Sequence, residues 1–267
     1  MERPNLLLKR WLEQKKVFNK NLLINRKRPT IDAVHDMRVA VKKLRSYLRL
    51  KKRLNSDEWK ESFSTISALF QSFGTVGDLD MSLALIRKQE HKKLLLFPFF
   101  KEDLFAKRST SRKSAKQDAI KFNEKDLDVF ENQFDLDLTD KEICEKIIQH
   151  AGSKIKKVKE LTDHFQKNAH KIRKLLKDVY NWVKIDPKYF DKDFISIRAL
   201  DQMLKHLGSW QDHFVFRKKI TQFIKDSPND RENSNLKTLG TKLKPVQDEF
   251  LEKAKDKWKD VMRGYKT

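Results

Sequence analysis

The sequence predicts an all-α protein built from long helices and an internal repeat. Three observations carry that prediction. Apolar residues recur at spacings of three and four over most of the chain, the signature of amphipathic helices. Six Gly and six Pro in 267 residues leave too little turn chemistry for a many-stranded β fold. The third is a motif that occurs twice. His35, Arg38, Lys42, Arg45 and Arg49 form a basic series, and His170, Arg173 and Lys177 restart it 135 positions later. Phe73-Gly74 with Asp78 follows the first copy, and Leu207-Gly208 with Asp212 follows the second at nearly the same offset.

The elements follow in order. Leu8, Trp11, Leu12, Val17 or Phe18, and Leu22 give a first helix over about 5–25, ended by Arg28-Pro29-Thr30. A second helix covers about 31–54. Asn55-Ser56 caps a third, whose stripe is Trp59, Phe63, Ile66, Phe70 and Phe73. Gly74 stands where a C-terminal glycine cap belongs, and Asp78 then reads as the N-cap of a fourth helix over about 78–93. Pro98 interrupts the chain, and a long, very polar helix follows over about 99–122. Residues 124–145 hold nine acids and only Lys125 and Lys141, which marks the join between repeats. The expected units are 1–136 and 137–267. Thr139 with Glu142 forms a capping box for a helix over about 140–164. The His170 helix runs to about 184, another spans about 191–207, and Gly208 and Asp212 repeat the break before a helix to about 225. Residues 226–230 read as a loop, and a last helix over about 235–263 is started or kinked by Pro245.

The two motif helices carry matching apolar stripes. Val34, Met37, Val41, Leu44 and Leu48 correspond to Ala169, Ile172, Leu176, Val179 and Val183. The basic series is displaced by one residue, about 100° around the helix. It therefore flanks the core edge rather than pointing away from it, where packing holds side chains in place. The second copy departs from the first: Asp178 and Tyr180 replace Lys43 and Arg45, so the second half is expected to contribute fewer contacts.

A formal charge of +22, from 60 Lys+Arg against 38 Asp+Glu, points to an anionic partner. Arg38 and Arg173 suit two-pronged contacts with phosphate oxygens, and Lys42, Lys43 and Lys177 supply point charges. Arg112 and Lys116 are weaker candidates for widening the basic surface. One cysteine, Cys144, excludes a disulfide framework and reads as a small core residue in a reducing, cytoplasmic setting. The longest apolar run, Leu94–Phe100, contains Pro98 and is too short to span a bilayer, so no membrane is expected as partner. The chain carries no phosphate-cradling glycine loop, no nucleophile elbow and no zinc-ligand spacing, so neither catalysis, a metal nor a cofactor is expected. Asp78 and Asp212 could serve a metal-dependent phosphohydrolase, but capping explains them more simply.

The segment His35-Asp36-Met37-Arg38-Val39-Ala40-Val41-Lys42-Lys43-Leu44-Arg45 resembles the signature of CHAD domains, the conserved-histidine α-helical domains. The Gly74–Asp78, His170–Lys177 and Gly208–Asp212 motifs resemble it too, in order, over about residues 5–263. The resemblance implies two four-helix bundles related by a pseudo-two-fold, with the basic helices near their interface. It also implies binding of inorganic polyphosphate, often in polyphosphate granules, through His35, Arg38, Lys42, Lys43, Arg45, Arg49, His170, Arg173 and Lys177. RNA or DNA is the rival partner. Single-strand readers interleave aromatics for stacking, and Tyr47 is the only aromatic within the first basic helix.

Overall fold

In the computed structural model the described residues are 5–55, 64–93, 96–134, 138–227 and 230–266, and all their regular structure is helical. Eight long helices, α1 (Leu6–Lys27), α2 (Ile31–Asn55), α3 (Ser64–Lys93), α4 (Pro98–Lys121), α5 (Asp140–Leu161), α6 (Phe165–Val183), α8 (Ile197–Asp226) and α9 (Asp230–Arg263), are joined by the short α7 (Pro187–Asp193). Two 3₁₀ segments, Glu124–Phe134 and Thr162–His164, complete the list. Trp59 and Phe63, assigned above to the third helix, lie outside the described residues.

Local chemistry sets several helix ends. The Asn5 side chain accepts from the Leu8 amide, and Asn5 Nδ2 donates to the Phe134 carbonyl at 2.8 Å. Thr139 and Glu142 form the expected capping box. Pro98 occupies the first turn of α4, and the next two amides, of Phe99 and Phe100, donate to the Glu232 carboxylate of α9 at 3.1 and 2.8 Å. The acid-rich join is used structurally: Glu124 meets Arg26 at 2.6 Å, and Asp128 and Glu131 both meet Lys15.

Two expected helix breaks are absent. Helix α3 runs unbroken through Gly74 and Asp78, and α8 through Gly208 and Asp212. Neither glycine is a cap, and neither aspartate begins a helix. The cause is tertiary. Ile66, Leu69, Phe73, Val76, Leu79, Leu83 and Ile86 are all buried, an unbroken run of three- and four-residue steps across Gly74. A mid-helix glycine costs about 1 kcal/mol, far less than exposing that stripe. Helix α9 likewise begins earlier than expected and carries Pro245 in its interior.

Buried side chains form two clusters. The larger one joins α1, α2, α5, α6 and α7 with parts of α3, α4, α8 and α9, and contains Cys144. The smaller one is formed by the remaining parts of α3, α4, α8 and α9 around Phe100, Phe216 and Phe223. Both clusters draw on residues from either side of position 136. Helices pack in matching pairs, α1 on α2 and α5 on α6, then α3 on α4 and α8 on α9. Between the halves α2 meets α6 and α3 meets α8.

Candidate functional site: a cationic cluster

The stripes on α2 and α6 are buried as expected, from Val34 to Leu48 and from Ala169 to Val183. The basic series, one residue out of phase, therefore emerges along the edge where α2, α3, α6 and α8 meet. Arg38 Nη2 lies 3.3 Å from Asp78 Oδ1 on α3. Gly77, one residue earlier on α3, leaves the space the Arg38 guanidinium occupies: a Cβ there would collide with Nη1. In the second half Asp212 faces Arg173. Burial pushes the Asp212 carboxyl above its ordinary value, Arg173 pulls it back down, and Asp78 adds repulsion that raises it.

Lys42 ties these pairs into one cluster. Its side chain is exposed, yet it stands among other cations. Loss of hydration, then repulsion by Arg38, Arg173 and Lys177, lowers its pKa to about 8 against the pull of Asp78. Lys177 is lowered by burial and then by Arg173, with Asp201 opposing. Sequence reasoning missed Lys219 of α8, whose pKa is lowered by burial while Asp78 pulls it up. The signal was present: Lys219 lies seven residues beyond Asp212, two turns along the same helix face.

The remaining sequence candidates separate. Lys43 is lowered by burial and then by Lys184 and Arg10, so it extends the basic surface toward α1 and the end of α6. Arg45 lies over the Phe70 ring at 5.5 Å, and Lys42 over the same ring at 5.8 Å. Arg49 does not reach the cluster with a free charge; it is held by Asp178, the residue that replaces Lys43 in the second copy. His35 and His170 are exposed, and His170 Nδ1 lies 3.1 Å from Gln211 Oε1. Arg112 is engaged by Asp80 at 3.3 Å, as is Arg108 at 2.5 Å. Lys116, half-buried on α4, makes no ion pair with a described residue.

Arg38, Lys42 and Arg173 gather around Asp78 and Asp212, and Lys177 stands beside Lys42 and Arg173 with Asp201 as its acid, which leaves an excess of positive charge in one cluster. Charge-assisted contacts from guanidinium and ammonium groups are the stronger class of hydrogen bond, and suit phosphate oxygens. Among the described residues no group of three or more His, Cys, Asp or Glu side chains comes together to hold a metal ion. No described helix is long and apolar enough to cross a membrane.

Fold and site define an all-α domain in which the two basic helices, α2 and α6, pack together and bring a cluster of cations into one place. The chain belongs to the CHAD domain family, whose model matches residues 12–221. Among solved structures it is similar to the crystal structure of the CHAD domain from the plant Ricinus communis. That match has a TM-score of 0.72 and 17% sequence identity, and covers 95% of this chain and 93% of that one. None of the curated proteins compared with the chain matches it.

Proposed function

We propose that the chain is a non-catalytic binding module for inorganic polyphosphate. The observation that carries this reading is the meeting of Arg38 and Lys42 from the first basic helix with Arg173 and Lys177 from the second in one cluster. A linear polyphosphate has no bases, so charge density and groove shape suffice to recognise it. Family membership supports that choice of polyanion over others. The aromatic groups beside the groove argue against nucleic acid: Phe70 is covered by Lys42 and Arg45, and Tyr180 carries Lys177 at 5.2 Å. Each ring already carries a cation, which competes with a stacking base for it.

On this reading Lys219 joins the groove, Lys43 lengthens it, His35 and His170 flank it, and Arg49 has a structural task instead. Residues 1–136 and 137–267 are two copies of a four-helix plan related by a pseudo-two-fold. The matching helix pairs and the α2–α6 and α3–α8 contacts support that symmetry. The expected setting is the cytoplasm, beside polyphosphate granules.

The test is competition at one salt concentration between long-chain polyphosphate, orthophosphate, single-stranded RNA and duplex DNA. Polyphosphate should displace the others at matched charge. RNA binding as tight as polyphosphate would overturn the proposal.

A further inference from the structure

We propose that a cavity between α3, α8 and α9, separate from the groove, is a second binding site. It would take a small amphipathic acid, a single ring or short alkyl chain bearing one carboxylate. The cavity measures about 240 Å³. Ligand pockets usually exceed roughly 300 Å³, so the body of the ligand must be small. Its walls include Leu85, Leu243, Val246 and Phe250. Lys88 and Lys242 also line it, both exposed and neither ion-paired to a described residue.

This division of chemistry selects the ligand. Apolar walls reward burial of hydrocarbon and penalise a phosphate chain, whose oxygens would lose water against Leu243 and Phe250 without replacement. Two ammonium groups beside an apolar body match one carboxylate head.

The wall on α9 is a built feature. Pro245 lies inside the helix and removes the N–H that would bond the Thr241 carbonyl. The cavity residues Lys242, Leu243, Val246 and Phe250 flank that turn. Arg217 of α8 braces it, donating from Nε to the Gly240 carbonyl at 3.1 Å and from Nη1 to Gln247 Oε1 at 2.9 Å. His213 fixes the far wall. Its Nδ1 lies 2.8 Å from the Ser209 carbonyl, which requires the proton on Nδ1, and its ring centre is 5.2 Å from that of Phe250.

The test is fluorine NMR of 4-fluorobenzoate with the full chain. Saturable binding is expected, with the uncharged 4-fluorobenzamide about tenfold weaker. Lys88→Met/Lys242→Met, which alters exposed positions only, should weaken the acid by about the same factor. Val246→Trp should fill the cavity and abolish binding with helical circular dichroism retained. Saturating long-chain polyphosphate should leave binding unchanged. Equal binding of acid and amide, wild-type binding by either variant, or absence of saturable binding would overturn the proposal. Displacement by polyphosphate would overturn it too, by placing the probe in the groove.

Discussion

Arg49 on α2 grips Asp178 on α6 with two prongs: Nε lies 3.2 and 3.1 Å from the two carboxylate oxygens, and Nη2 lies 2.5 Å from Oδ1. Ser46 donates to the same carboxylate at 3.1 Å and Lys154 at 2.9 Å. Asp178 is nearly fully buried. The acid that breaks the repeat therefore joins the halves. Sequence alone suggests that it thins the groove; the structure spends its charge on Arg49 and Lys154 instead.

Removing that carboxylate should destabilise the fold. Asp178→Ala leaves Lys154 buried against the Trp182 ring without its counter-ion. Breaking a buried pair from one side costs about 3–5 kcal/mol. Urea denaturation should show the loss, and a change below about 1 kcal/mol would mean the network contributes little. The pH dependence has a fixed sign. Burial alone would raise the Asp178 pKa, but Arg49 and Lys154 outweigh it and hold the carboxyl below its ordinary value. A depressed carboxyl stabilises the fold above its unfolded pKa of about 3.9, and that stability fades as pH falls through the folded value. Wild type and Asp178→Ala should therefore converge in stability in strong acid.

Charge reversal of either groove pair, Arg38→Glu/Lys42→Glu or Arg173→Glu/Lys177→Glu, should weaken polyphosphate binding by several kcal/mol. Each charge-assisted contact contributes roughly 1.5–3 kcal/mol. With Asp178 engaged elsewhere, the two losses should be similar. Calorimetric titration at fixed salt checks this; a loss confined to the first pair would mean the second repeat takes no part.

Asp78 and Asp212 should act as competitors for the bound anion rather than as helix caps. Asp78→Asn frees Arg38 and removes one negative charge from the groove. Polyphosphate affinity should rise several-fold, and thermal stability should change little, because this half-buried pair is a single contact at 3.3 Å and contributes about 0–1 kcal/mol. Weaker binding in Asp78→Asn would show instead that Asp78 is needed to aim Arg38.

Much of this was legible in the chain, and the errors share one cause. The apolar stripes of α2 and α6 were readable because their period is local and their copies agree position by position. Gly74 and Asp78 misled because a glycine followed by an aspartate is also the local pattern of one helix ending and another starting. Only the stripe continuing through Val76, Leu79 and Leu83 decides for one helix. The partner of Arg49 could not be read at all, since it lies 129 positions away and depends on how α2 and α6 approach.

Binding should weaken as pH rises through about 8. In the free protein the pKa of Lys42 is lowered to about 8 by loss of hydration and by its cationic neighbours. A bound phosphate chain favours the charged ammonium and raises that pKa. Binding then takes up a proton above pH 8, so affinity is greatest below that value and declines above it. Lys42→Arg keeps the charge and removes the titration. Its affinity should decline less steeply than that of wild type, the remaining slope belonging to Lys177, Lys43 and Lys219, as a binding series over pH at fixed salt would show. An identical slope in both proteins would assign the effect to another group.

Gly77→Ala should separate binding from stability. Gly77 is a helical residue within α3, and alanine there gains up to about 1 kcal/mol of helix propensity. The new methyl, however, would occupy the place of the Arg38 guanidinium. Only the end of a flexible side chain has to move, so the fold should persist while Arg38 swings away from Asp78 and out of the groove. Polyphosphate affinity should fall by about tenfold, the loss of one charge-assisted contact. Gly74→Ala provides the control, because nothing lies within 4 Å of a Cβ at that position. It should gain the same helix propensity and bind as wild type does. If Gly77→Ala binds normally while remaining folded, the position of the Arg38 guanidinium does not govern binding, and the groove's affinity must rest on Lys42, Arg173 and Lys177.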